Sequence, residues 1–259
     1  MHLNKEYKNT DSMKTCSIFQ AYFTVLFHFS SLKILLKYLK TVIKDFFFLQ
    51  FSVKWGWKKI PVIHVDHELD EEVPFVPEKV PVYLDFINFW IRPMSYIVQR
   101  LRAKRALPYC IKYLSLIENT YRDAARMYRF RMTTTNRPPC PKGFPQFRTI
   151  HLLDSHYLCV PSLHVAICIL TYNFFREVFK EIGFSQEEQD KFNKELKEGA
   201  IAITESVLYV KQHSVNCIPA ALYMMTHLLS DHFSIEEAVK YIDLLFAEST
   251  DISEEAKAK

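Results

Sequence analysis

Glycine is almost missing from this chain, which has four in 259 residues. So few glycines leave no room for a glycine-rich phosphate loop and little for tight hairpins, so helix is the expected local structure. The six cysteines (Cys16, Cys110, Cys140, Cys159, Cys168 and Cys217) include no Cys-x-x-Cys pair. Their scatter does not form the framework of a small disulfide-rich domain, and reduced, buried thiols point to the cytosol or to a membrane's cytosolic side. Long apolar runs are lacking as well. Cys16 to Leu32 carries no Asp, Glu, Lys or Arg, but Lys33 closes it, short of the ~20 residues a spanning helix needs. The run resembles a signal peptide in its upstream lysines (Lys5, Lys8 and Lys14), yet no small-x-small cleavage site follows. A mean hydropathy of −0.06 is low for a chain with many spans. No internal repeat is present. Two basic clusters, Arg100 to Arg105 and Arg122 to Arg137, contain no recognisable nucleic-acid motif, so no nucleic-acid partner is expected.

What the chain does have is apolar bulk. Hydrophobic residues make up 49%, including 21 Phe and 14 Tyr, and charged residues 24%. That composition and length suffice for a large core, and the fold class expected is all-α, a helical bundle. Three parts are anticipated: an N-terminal segment over 1–60, a helical core over 61–233, and a C-terminal helix with a polar tail over 234–259. Residues 1 to 15 are polar and expected to be disordered. Lys33, Lys37, Lys40 and Lys44 recur every three or four residues opposite an apolar stripe, a pattern that suits a membrane-surface helix or an ordinary core helix. The acidic run from Asp66 to Glu72, followed by Pro74, Pro77 and Pro81, reads as an extended connector. His64, Asp66 and His67 within it read as solvated rather than metal-binding. Val82 to Arg105 predicts a helix interrupted near Pro93, and Tyr109 to Phe130 a long amphipathic one. A buried helix is expected from near Pro161 to Phe175, a charged stretch over 176–198, an apolar stretch from Gly199 to Ser230 and a last helix from Ile235 to Phe246.

Two segments carry chemistry. Pro161-Ser162-Leu163-His164 stands at the start of an apolar helix, where backbone N–H groups and the helix dipole favour an anion and His164 can move a proton. Ser206 and His213, seven residues apart, are expected to share one helix face, with Lys211 between them as a buried cation in need of a partner. A lone histidine in an apolar helix is more often a satisfied core residue. Two histidines, Ser162, and the cations Lys211 and Arg137 together supply a nucleophile, a proton donor and positive charge for a phosphoryl group.

These residues resemble the motifs of the type-2 phosphatidic acid phosphatase and haloperoxidase superfamily: Lys-x6-Arg-Pro, Pro-Ser-x-His and Ser-Arg-x5-His-x3-Asp, in that order. Arg137-Pro138 is similar to the first, Pro161 to His164 matches the second, and Ser206 to Cys217 has the spacing of the third. The Pro-Ser-Leu-His-Val form, the run Leu69 to Pro77 and Lys211-Gln212-His213 are similar to the branch of inositol phosphorylceramide synthases and bacterial lipid phosphatases. The resemblance spans residues ~65 to 230, judged against helical spacing. It implies a helical bundle of the lipid phosphatase and haloperoxidase type and a metal-free phosphohistidine mechanism without a cofactor. His213 would attack phosphorus, His164 would protonate the leaving oxygen, and Arg137, Ser162 and Lys211 would hold the phosphoryl oxygens.

Three positions depart from the motifs. Phe130 stands at the motif lysine, Val207 at the motif arginine, and Cys217 at the aspartate that orients the nucleophile. Without a carboxylate the imidazole loses its fixed tautomer. The expectation is therefore a weak phosphoric-monoester hydrolase or phosphotransferase on a lipid-like phosphate ester, or a non-catalytic relative that binds anions or lipid. Membrane association, integral or peripheral, is the expected location, with the cytoplasm as the alternative.

Overall fold

The computed structural model describes residues 12–258. The chain is an all-α helical bundle with one small parallel sheet. Its helices in order are α1 (Phe19–Leu26), α2 (Phe29–Thr41), a π-helical segment (Val42–Phe48) that runs into α3 (Leu49–Lys54), α4 (Leu69–Glu72), α5 (Val80–Leu84), α6 (Phe86–Leu101), α7 (Ala103–Phe130), α8 (Gln146–Leu153), α9 (Leu163–Glu181), α10 (Gln186–Tyr209), α11 (Cys217–Leu228), α12 (Ile235–Ile242) and α13 (Glu254–Lys257). Strands β1 (Val62–His64) and β2 (Met132–Thr134) pair in parallel, Val62 opposite Met132 and His64 opposite Thr134. The β-branched side chains of Val62, Ile63, Thr133 and Thr134 suit this pleat. Thr133 also bridges to Leu158, which brings the chain entering α9 alongside β2.

Helix α9 is the hub. It packs against α6, α7, α10 and α11, and most of its side chains from Leu163 to Phe175 are buried because that part of the helix is predominantly apolar, while Lys180 and Glu181 in its last turn are exposed. Ser162 caps it by accepting from the amide of Val165. Gly183, at φ +80°, ends it and allows the sharp reversal into α10. A capping box then starts α10: the Ser185 side chain accepts from the Glu188 amide, and the Glu188 carboxylate accepts from the Ser185 amide.

Several boundaries differ from the sequence expectation. Helix α6 continues through Pro93, and the breaks fall instead at Asp85, between α5 and α6, and at Arg102, at φ 64°. Burial of Ile91, Met94 and Ile97 around the proline offsets the hydrogen bond that Pro93 cannot donate. No boundary falls at Gly199, where the charged and apolar stretches were expected to meet: α10 runs through it, its charged first half mostly exposed and its apolar second half mostly buried. Residues 176–181 belong to α9, and the apolar stretch is itself divided between α10 and α11 by the turn after Tyr209. Residues 1 to 11 of the segment expected to be disordered lie outside the described residues. From Ser12 onward that segment is held: Met13 is buried, and its amide and the Ser12 hydroxyl both donate to Glu195. The three parts expected from the sequence share one hydrophobic core that extends from Met13 to Ile252. Among the described residues no single helix is long and apolar enough to cross a membrane, although α1 and the run from Phe29 to Lys54 form an apolar pair bent by 105°. Asp85 and Arg92 pair with each other at 2.7 Å.

Candidate functional site

Two backbone segments, far apart in sequence, are fastened together to make the site. The first leads into α9. The amide of Cys159 donates to the Thr133 carbonyl at 3.2 Å, that of Val160 to the Thr133 hydroxyl at 2.7 Å, and buried Tyr128 donates from its hydroxyl to the Pro161 carbonyl at 2.6 Å. The second is the turn after α10. Helix α10 stops at Tyr209, Lys211 adopts φ 54°, and the amides of Gln212 and His213 both donate to the Val207 carbonyl. The Ser162 amide donates to the Cys217 carbonyl at 3.3 Å and joins the two segments.

This arrangement brings two imidazoles together. The rings of His164 and His213 have centroids 5.7 Å apart and lie nearly perpendicular, at 72°. His213 Nδ1 lies 3.1 Å from the carbonyl oxygen of Cys159. A carbonyl can only accept, so Nδ1 carries the proton and Nε2 keeps its lone pair. Nε2 lies 3.3 Å from the hydroxyl of Ser162, which in turn accepts from the Val165 amide. The loss of a fixed tautomer expected from Cys217 does not follow: a backbone carbonyl supplies what the motif's carboxylate would. Among the described residues the His164 ring makes no hydrogen bond; it rests on the rings of Tyr83, at 4.7 Å, and Phe86, at 4.5 Å.

A third histidine lies behind this pair. His156, buried and at φ 62°, accepts at Nδ1 from Arg137 at 2.8 Å and donates from Nε2 to the Thr135 hydroxyl at 2.8 Å. Arg137 also donates to the carboxylate and the carbonyl of Asp154, both at 3.3 Å. Its charge is therefore partly neutralised from within the fold, and its buried Nε has no hydrogen-bond partner among the described residues.

The two imidazoles, with His156 and Asp154, line a cavity of about 340 Å³ whose other walls are apolar and aromatic, including Tyr38, Phe46, Phe47 and Leu153. Burial pushes all three histidines toward the neutral form. For His213 burial lowers the pKa to about 4, the bond to Cys159 opposing and nearby Arg137 adding to the effect. For His164 burial and then the neighbouring His213 lower it to about 3. For His156 burial and then Arg137 lower it to about 2. At neutral pH the cavity floor holds uncharged imidazoles.

The structure brings His164, His213 and Ser162 into direct contact and holds Arg137 one layer back, through His156. It does not bring Lys211 to them. Lys211 lies in the turn rather than in an apolar helix, and its ammonium donates to the backbone carbonyls of Asp70 and Val73. The shared helix face expected for Ser206 and His213 does not form, because α10 ends between them; the Ser206 hydroxyl donates to Ile203 within the helix. Cys217 is buried, and burial pushes its thiol up to about 12, so it is a neutral packing group. Val207 is buried and contributes its carbonyl to the turn, while Phe130 is exposed and the neighbouring Arg129 is tied to Asp45. Two contributors escaped the sequence reading. His156 stands outside any motif, and only its spacing from Arg137-Pro138 and Pro161 could have drawn attention to it. Asp70 sat in a run that reads as a solvated connector, but its carboxylate accepts from the amides of His67 and Val215 and so clamps the His213 turn. In that same run Asp66 accepts from the Asn136 amide.

Comparison of the chain with protein-family models, with curated proteins and with solved structures gave no match.

Proposed function

We propose that the cavity is a phosphoryl-transfer site, acting on a lipid-like phosphoric monoester through a phosphohistidine at His213. The observation that carries this reading is the pair of neutral imidazoles in contact in an apolar cavity, one of them with its Nε2 left unprotonated by the bond of Nδ1 to the Cys159 carbonyl and facing the Ser162 hydroxyl. In the proposed reaction Nε2 attacks phosphorus, and His164 protonates the departing alcohol oxygen. Water then releases phosphate from His213, or an acceptor alcohol takes the phosphoryl group. Ser162 and Arg137 stabilise the phosphoryl oxygens, and the aromatic walls take the apolar part of the ester. The chemistry rests on side chains and needs no metal.

His164 must be protonated to act as an acid, and its pKa lies far below neutrality. The rate is therefore expected to rise as pH falls from 7 toward 5, while His213 stays neutral as the nucleophile requires. Release of phosphate from an aryl phosphate in the presence of a chelator, its inhibition by vanadate, and its loss in His213→Ala test the assignment. Turnover that survives His213→Ala refutes it.

A second reading is favoured by the ring geometry. In-line displacement places nucleophile and leaving oxygen on opposite sides of phosphorus, and rings 5.7 Å apart leave no room for a phosphoryl group between them. His164 must turn away from His213 for catalysis, or the cavity binds an anionic lipid without turning it over. With Lys211 occupied by carbonyls and Arg137 by Asp154, charge stabilisation is also reduced. A protein that binds vanadate but releases no phosphate at any pH is this second case.

A further inference from the structure

The N-terminal helices turn large apolar side chains away from the core. In α1, Ala21, Thr24 and Val25 face the bundle, whereas Phe23 is 58% exposed; at the 105° corner Phe27 is 77% and Phe29 86% exposed. Along α2 and the π-helical segment, Leu36, Leu39 and Ile43 are exposed among Lys33, Lys40 and Lys44. Past α3 the chain ends this stretch with exposed Trp55 and Trp57 beside Lys54 and Lys58. A monomer in water rarely shows so much contiguous apolar surface without a use for it.

Charge decides what covers this surface. Between positions 16 and 60 there are seven lysines and one acid, Asp45; that acid is already tied to Arg129, and of the lysines Lys37 is paired with buried Glu118 at 2.8 Å. A symmetric contact with a second copy would set these lysines against themselves. An anionic lipid surface complements them, and tryptophan, phenylalanine and lysine together suit the boundary between headgroups and acyl chains. The cavity mouth belongs to the same stretch. Phe46 and Phe47 line the cavity, and Leu84, Ile87 and Leu153 on its other side are exposed.

We propose that the surface from Phe19 to Lys59 docks in the plane of an anionic bilayer, the aromatic corner entering the interface and the lysines meeting the headgroups. Docking itself stands apart from any turnover. Its corollary, that the substrate reaches the cavity from the bilayer, rests on the phosphoryl-transfer reading.

Co-sedimentation of the full chain carrying His213→Ala, so that no turnover intervenes, tests the proposal with phosphatidylcholine vesicles and with vesicles of phosphatidylcholine and phosphatidylserine. Binding is expected only to the anionic vesicles. It should weaken about fivefold for each of Lys33→Gln, Lys40→Gln and Lys44→Gln, and about tenfold or more in Phe27→Ser/Phe29→Ser. All five side chains are exposed, so melting curves of the variants should match the parent. No binding, equal binding to both vesicle types, or binding untouched by the double serine variant overturns the proposal. So does a dimer in solution that Phe27→Ser/Phe29→Ser breaks, since the surface then belongs to a second copy. Phosphate release from a soluble aryl phosphate is measured separately on the parent chain, so failure of either idea is distinguishable from failure of the other.

Discussion

A single residue illustrates how position can mislead about role. Cys217 occupies the place where the motif carries an orienting aspartate, yet the Nδ1 proton of His213 is already held by the Cys159 carbonyl. Cys217→Asp is therefore expected not to raise phosphate release. A carboxylate placed at this buried site has the carboxylates of Asp70 and Asp66 as its charged neighbours and should cost about 2 kcal/mol or more of stability, read as a lower denaturation midpoint. Lys211 makes the complementary case. Its charge reads as a phosphate ligand in sequence, but its ammonium fixes the carbonyls of Asp70 and Val73. Lys211→Met should lower stability by ~1–3 kcal/mol through those unpaired carbonyls, and leave vanadate affinity within about twofold of the parent, since the side chain stands outside the cavity. Arg137→Ala should do the reverse to affinity. Isothermal titration with vanadate separates the two.

Among the elements, the contact between α10 and α6 shows packing overruling propensity. Gly199 lies within α10, where alanine ordinarily gains ~1 kcal/mol. A Cβ there would come within 2.7 Å of the Phe89 ring, and that ring is itself buried. Gly199→Ala is expected to destabilise by about 1–3 kcal/mol, because the clash exceeds the helical gain, and urea titration gives the sign directly. Helix type was legible for most of the chain from apolar periodicity, and the start of α9 from Pro161 and Ser162. The ends were not. That α6 passes through Pro93, and that α10 continues past Gly199 but stops at Tyr209, depends on which side chains the neighbouring helices bury. The parallel pair of β1 and β2 was illegible for the same reason: two three-residue strands, widely separated in sequence, carry no periodic signal of their own.

For the molecule as a whole, three histidines couple stability to pH, His156 buried and His164 and His213 half-buried. Their folded pKa values lie below the unfolded value near 6.5, so in acid the unfolded chain binds more protons than the folded one. Stability should fall as pH drops below ~6.5, by up to ~1.4 kcal/mol per histidine per pH unit. The loss from His213 ends near pH 4, that from His164 near 3, and that from His156 near 2. Denaturation series at several pH values, with and without His164→Gln, measure the slope; a flat profile between pH 6.5 and 4.5 contradicts the burial of these rings.

The sequence alone determined that the chain is helical, that the stretch to Phe175 at the start of α9 is free of formal charge and buried, and that His164 and His213 occur in motif-like surroundings, because composition and local spacing are properties of the chain itself. Only the tertiary structure decided that the two imidazoles meet, that a backbone carbonyl rather than a side chain orients one of them, that Lys211 braces a turn instead of reaching the cavity, and that Asp70 clamps the same turn instead of lying in a connector. Those outcomes depend on hydrogen bonds between segments far apart in sequence. A buried polar group takes whichever partner the packing places within reach, and no local pattern records that choice.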